Sequence, residues 1–263
     1  MRPPPARVGW AGHATVRIEM DGARLLTDPV LRPRVFHLRR PDAVDAGIAA
    51  GLDAVLLSHM HLDHLDMRSL RAIGPGLPVI APRGSGALLE RGGVRDVVEV
   101  VPGDEVPIGG LVVQATYADH DGRRRPGAAA GPALGFLVRG TRSVYFAGDT
   151  DLFAGMADLT DDPLDLALLP VWGWGPRLGP GHLDPEGAAE ALRLLAPRVA
   201  IPIHWGTYRP FWIPRSATFL STPGAEFAEH AARLAPDVEV RVLAPGQWTM
   251  LHDAPVAPPG AEI

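Results

Sequence analysis

Polar and apolar residues alternate near the start of the chain, where ATVRIEM puts Ala14, Val16, Ile18 and Met20 on one side of an extended segment and Thr15, Arg17 and Glu19 on the other. Asp21-Gly22 then predicts a tight turn into ARLLTD, so the fold is expected to open with an antiparallel hairpin. Short apolar runs follow at DAVLLSH, PVIA, DVVEVV, LVVQATYA, ALGFLVR, SVYFAGD, DLALLPV, RVAIPIH and VEVRVL. Rich in Val, Ile and Leu and too short for helices, they read as strands of two mixed sheets. Helical spacing is clearest in residues 185–196, where Ala188, Ala191, Leu192 and Leu195 form a stripe behind Asp184 as N-cap and Pro185 in the first turn. A second helix is expected over 224–234, with Phe227, Ala231 and Leu234 inward. Without a repeat or linker, the pattern predicts one domain over residues 1–252 and a disordered tail over 253–263.

Polar residues mark the strand ends. His59, His120, Asp149 and His204 each stand where an apolar run stops, and such ends are where open α/β sheets gather ligand sites. The densest case is HMHLDHLD, residues 59–66. Alternate residues His59 and His61 can point the same way, while Asp63 and His64 turn aside as strand gives way to loop. Imidazole nitrogens and carboxylate oxygens are the donors of a zinc-like ion with one position open to water, and this many could serve two ions. Zinc is the first expectation, with manganese or iron equally compatible with such donors. Asp66 serves either as a helix cap or in the chemistry.

Composition removes other chemistries. The chain has 263 residues and no Cys, and all 25 of its basic residues are Arg. Thiolate nucleophiles, Cys-bound structural zinc, Schiff bases and a phosphate-gripping lysine are therefore excluded. A net charge of −5 argues against nucleic-acid binding, since the one local basic run is Arg123, Arg124 and Arg125. No apolar run reaches the roughly 18 residues of a membrane span, and MRPPPARVGW lacks the order of a secretory signal, so a cytoplasmic location is expected.

With GHATV and LLTDPV upstream and GHLDPEGAAEA between them, the ordered motifs HMHLDHLD, YADH, FAGDT and IPIHWGTY resemble the metallo-β-lactamase superfamily. Within it they are most similar to the branch of ascorbate-phosphate lactonases and N-acylphosphatidylethanolamine phospholipase D. The resemblance spans residues 8–208 and implies an α/β fold, a four-layer αββα sandwich of two mixed sheets flanked by helices. It implies His59, His61 and His120 as ligands of a first metal, Asp63, His64 and His204 of a second, and Asp149 as the bridge. Asp28 then orients a metal-binding imidazole.

The implied activity is a dinuclear metal-dependent hydrolase that directs a metal-bound hydroxide at a phosphodiester, lactone or other ester. Asp63, His182 and Asp28 are its candidate catalytic side chains. The expected partner is a small molecule, anionic or phosphorylated, and an oligomer is compatible with the sequence. Alternatives are a non-hydrolytic metal-binding or diiron redox module, in whose family branch the second histidine is replaced by glutamate, whereas His61 is kept here, or a nuclease. His182, two residues before Asp184, is expected on a loop beside a helix start, serving an anionic substrate or its leaving group. Trp172, Trp174 and Arg177 are candidates to line a pocket mouth, with a core or lid role as the alternative for the two tryptophans. His13, beside Gly12, touches the metals or holds the first hairpin. His37, His230 and His252 are read as ordinary surface or core residues.

Overall fold

The computed structural model describes residues 5–123, 131–175 and 177–252; Arg124, Arg125 and the expected tail over 253–263 lie outside them. The first sheet is built from β1 (Arg7–Gly12), β2 (Thr15–Met20) and β3 (Ala23–Thr27). A small hairpin, β4 (Arg34–Val35) and β5 (Leu38–Arg39), precedes β6 (Ala54–Leu56), helix α1 (Met67–Ile73), β7 (Val79–Pro82), helix α2 (Gly86–Arg91) and β8 (Val97–Val100). The second sheet begins with β9 (Glu105–Ile108), β10 (Leu111–Tyr117), β11 (Leu134–Arg139), β12 (Ser143–Phe146) and β13 (Leu166–Pro170). Helix α3 (Pro185–Leu195), β14 (Val199–Ile203), β15 (Arg209–Pro210), helix α4 (Pro223–Leu234), β16 (Glu239–Val240) and β17 (Trp248–Met250) complete the described strands and α-helices.

Strand order is β17-β1-β2-β3-β6-β7-β8 in one sheet and β16-β14-β13-β12-β11-β10-β9 in the other. Both sheets combine antiparallel strands with a parallel half: β3, β6, β7 and β8 in the first, β12, β13, β14 and β16 in the second. Their inner faces share one core in which Val16, Ile18, Leu25 and Leu56 meet Phe136, Phe146, Leu168 and Ile201. On the outer face of the first sheet, Leu70 of α1 and Leu89 of α2 pack with Val55 and Val79. On that of the second, Ala188 and Leu192 of α3 and Phe227 of α4 pack with Tyr145 and Ala167. The four layers are therefore αββα, as expected.

Local chemistry explains the elements. Asp21 and Gly22 take φ of 52° and 83°, the backbone that a two-residue hairpin of this twist demands. In α3 the Asp184 carboxylate accepts from Gly187 N at 2.8 Å and Pro185 starts the first turn. Arg17, on the polar side of β2, is buried: Nη1 donates to the carbonyls of Gly47, Ile48 and Ala50 and Nε to Glu19. Among the described residues no helix is long and apolar enough to cross a membrane.

Candidate metal centre

The first donor segment leaves β6 at Leu56 and reaches Asp66, where the chain turns into α1. The loop is pinned by Leu65 N donating to His61 O at 2.8 Å and Met60 N to Gly122 O at 3.1 Å. Asp66 is the N-cap: its carboxylate accepts from Ser69 N at 3.1 Å and pairs with Arg32 at 2.7 Å, which leaves it structural. His120 follows β10, Asp149 follows β12 and His204 directly follows β14. His13, Asp28 and His204 hold positive φ of 54°, 33° and 68°. Such backbone costs free energy in a non-glycine residue and persists only where surrounding contacts over-determine it.

Two groups of donors result. In one, His61 Nδ1 lies 3.0 Å from His59 Nε2 and 3.2 Å from His120 Nε2. In the other, His64 Nε2 lies 3.0 Å from His204 Nε2 and 3.9 Å from Asp63 Oδ2. Asp149 stands between them, with Oδ2 3.9 Å from His59 Nε2 and 3.2 Å from His64 Nε2, and Oδ1 3.2 Å from His204 Nε2. The far side of four of the rings is held by a hydrogen bond. His64 Nδ1 donates to Asp28 Oδ2 at 2.8 Å, His120 Nδ1 to Gly181 O at 2.9 Å and His204 Nδ1 to Trp172 O at 2.6 Å. Ser58 Oγ donates to Asp28 Oδ2 at 2.5 Å and so accepts from His59 Nδ1 at 2.9 Å. These partners assign the tautomers and turn the Nε2 lone pairs inward.

The inward arrangement is costly without a positive charge in it. Asp149 Oδ1 is buried and receives no hydrogen bond, because the nearest nitrogen, His204 Nε2, presents a lone pair. Burial holds His204 down at about 3 and, joined by repulsion from His64, presses His59 well below the ordinary imidazole value. Burial also lowers His61 and His120. Burial opposes the charge on His64 too, but Asp149 and Asp28 outweigh it and raise His64 well above its ordinary value. Burial would raise Asp149 and Asp63, yet the surrounding imidazoles keep both well below the carboxylate range. With no metal, a proton on His64 supplies the positive charge; the donor set suits a cation in its place.

His13 lies beside this cluster. Its Nε2 is 3.1 Å from Asp63 Oδ2 and its ring centroid 3.8 Å from that of His204, while its carbonyl accepts from His204 N at 3.0 Å. It therefore joins the first hairpin to Asp63 and His204. Opening above the donors is a cavity of about 380 Å³ whose floor includes His61, Asp63, Asp149 and His204.

His182 lines that cavity, with Nε2 3.5 Å from Asp149 Oδ2 and Nδ1 3.1 Å from Gly179 O. Burial works against its charge, but pairing with Asp149 raises its affinity for a proton. The start of α3 offers less to an anion than expected, since the Asp184 carboxylate already takes one of its donors, Gly187 N. Trp174 and Arg177 line the cavity, whereas the Trp172 indole donates to Gly175 O at 3.0 Å within its own loop. His37, read from sequence as ordinary, lines the cavity as well. His230 contacts Arg233 on α4, and the His252 carbonyl accepts from Arg198, as ordinary surface residues do.

Comparison with known proteins agrees with this architecture. The fold is that of metallo-hydrolases: a metallo-hydrolase from Ignicoccus hospitalis superposes with a TM-score of 0.74 at 22% identity, covering 95% of this chain and 100% of that one. CmlA, a diiron β-hydroxylase from Streptomyces venezuelae, superposes with a TM-score of 0.71 at 21% identity over 95% of this chain and 55% of its own. The profile described as a beta-lactamase superfamily domain matches residues 23–205. A metal-dependent hydrolase from Methanopyrus kandleri is 33% identical over 250 residues, 92% of this chain and 98% of that protein. The chain belongs to the β-lactamase superfamily, in the company of its metal-dependent hydrolases.

Proposed function

We propose that the chain is a dinuclear metal-dependent hydrolase of a small ester, with phosphodiesters and lactones as its substrate classes. His59, His61 and His120 would hold one divalent ion, Asp63, His64 and His204 the other, and Asp149 would bridge them. The observation that carries this reading is the buried Asp149 Oδ1, which faces the lone pair of His204 Nε2 at 3.2 Å with no donor of its own. Bound there, two such ions would acidify a shared water and neutralise charge on the substrate oxygen.

The chain's own residues do the remaining work. Asp28 holds His64 and, through Ser58, His59 in the required orientation. His13 holds Asp63. His182 stands at the cavity with Nε2 inward, in reach of a group departing from a bond above Asp149, to which it would deliver a proton. A diiron redox reading on the same scaffold is less well supported, because a histidine, His61, stands where that branch carries glutamate. The acidic balance of the chain disfavours a nuclease. A cytoplasmic location and zinc as the resident ion complete the proposal.

The test is a hydrolysis panel of phosphodiester, phosphomonoester, lactone and thioester substrates on metal-loaded protein, with metal content measured alongside. About two ions per chain and turnover of a phosphodiester or lactone are expected. Failure to bind any ion after reconstitution would overturn the reading.

A further inference from the structure

Phe36, His37 and Trp174 line one part of the cavity, and exposed aromatic rings continue beside them. The tip of the β4–β5 hairpin carries Phe36 and His37, and the chain leaving β15 brings Phe211 and Trp212 beside them. Phe36 is 74% exposed, Trp212 60% and Phe211 53%. The rings form a connected series. Phe36 meets His37 edge-on at 5.0 Å, His37 stacks on Trp212 at 5.3 Å and meets Trp174 edge-on at 5.0 Å, and Trp212 meets Phe211 at 4.9 Å. Single exposed apolar residues are ordinary, but a contiguous aromatic patch beside a polar cavity marks a binding surface.

The rim is built rather than frayed. Beneath it Val30, Val35, Leu38 and Tyr208 form a small buried cluster against which Trp174 packs, and Tyr208 Oη donates to Arg32 O at 2.7 Å. Phe211 N donates to His37 O at 3.1 Å, which ties the two aromatic segments together. The backbone of Phe36 takes φ of 49°, a conformation that a phenylalanine adopts only where neighbouring structure imposes it. Phe36, His37 and Trp174 line the same cavity as Asp63, Asp149 and His182, with Arg177 in its wall. The cavity that holds Asp149 thus runs to Phe36, His37 and Trp174, and Trp212 stacks on His37 at its edge.

We propose that this rim is a subsite for a flat aromatic group, so that the enzyme takes anionic esters carrying an aryl substituent. The proposal rests on the hydrolase reading for the placement of the reactive bond. Aromatic pairs favour offset stacked and edge-to-face arrangements, and the rim presents both indole faces and ring edges to an incoming ring, which a saturated ring of the same size meets less well. The cavity volume of about 380 Å³ lies in the range of small-molecule sites.

Binding of benzylphosphonate, cyclohexylmethylphosphonate and methylphosphonate to metal-loaded protein, measured by isothermal titration, tests this without requiring turnover. Benzylphosphonate is expected to bind on the order of 10² tighter than methylphosphonate, from burial of the ring, and roughly threefold to tenfold tighter than its cyclohexyl counterpart. In the double variant Phe36→Ser, Trp212→Ser, both sites being largely exposed, the benzyl-to-methyl ratio is expected to collapse to within about threefold. Equal affinities for the three ligands, no binding of any of them, or a ratio untouched by the double variant would overturn the proposal. So would a change of sedimentation mass in the double variant, which would make the rim a contact between copies. In the unaltered protein, absence of a benzyl preference with hydrolysis intact removes the subsite alone, whereas a benzyl preference with an inactive panel removes the hydrolase reading and leaves the subsite.

Discussion

Asp28 and His64 meet through a 2.8 Å hydrogen bond from imidazole Nδ1 to carboxylate Oδ2, with both side chains fully buried. The same carboxylate accepts from Ser58 N at 2.7 Å and from Ser58 Oγ, so one residue orients rings belonging to both donor groups. In Asp28→Ala these donors lose their acceptor and His64 becomes free to rotate. Metal affinity is expected to fall about 10- to 100-fold, measured by competition with a chromogenic chelator, and stability should fall with it. Unchanged metal affinity would show that Asp28 serves only the fold.

His182 is expected to separate activity from metal binding. On the proposed reading, His182→Ala should retain the metal content of the unaltered protein and a near-native Tm while kcat/KM drops by roughly 10², the scale of a lost proton donor. Elemental analysis and kinetics on one preparation decide the matter; a lost ion would make His182 a ligand.

Metal removal should be felt in stability. The buried donors repel one another unless a proton or cation lies among them, so a ligand present at about 1,000 times its Kd contributes about 4 kcal/mol to the folded state. For a chain of this length that corresponds to a Tm lowered by roughly 10 °C after chelation, followed by calorimetry. Because the imidazoles must be neutral to bind, retention of the ions should weaken as pH falls, which dialysis at stepped pH measures.

Away from the site, Glu19 offers a pH test of an ordinary ion pair. Burial opposes its charge, but the hydrogen bond from Arg7 and the charges of Arg17 and Arg7 outweigh burial and lower its pKa. A carboxylate depressed in the folded state adds stability that is present above its unfolded value, about 4.5, and is lost as pH falls through the lower folded value. In chelator-treated protein, Glu19→Gln should therefore have a lower Tm than wild type at pH 7, and the gap should close as pH falls below the unfolded value and through the lower folded one. A gap independent of pH would mean that shape, and not charge, carries the effect.

Some of this was legible in one dimension because the governing interactions are local. The alternation of Ala14, Val16, Ile18 and Met20 follows from the two-residue period of a strand, and all four lie in the core between the sheets. The start of α3 was readable because a capping carboxylate bonds a backbone N–H three residues on. Arg17 and Trp172 were not, since their partners are fixed by loops folding back on them. The β4–β5 hairpin and β15 are two residues per strand, below the length at which periodicity speaks, and with them the aromatic rim and the place of His37 went unseen.

The sequence by itself determined the kinds of donor and their order: histidines and aspartates at the ends of apolar runs, a capped helix start, and a composition without thiol or lysine. Those follow from strand and helix periods and from side-chain chemistry, which need no knowledge of the rest of the chain. Only the tertiary structure decided that His64 Nε2 stands 3.0 Å from the Nε2 of His204, 140 residues away. It alone decided that Asp28, His13 and His204 hold left-handed backbone to achieve this. Those relations depend on which strands pair, how two sheets pack and which far-off carbonyl takes each imidazole proton, and all of these are contacts between segments that no local pattern records.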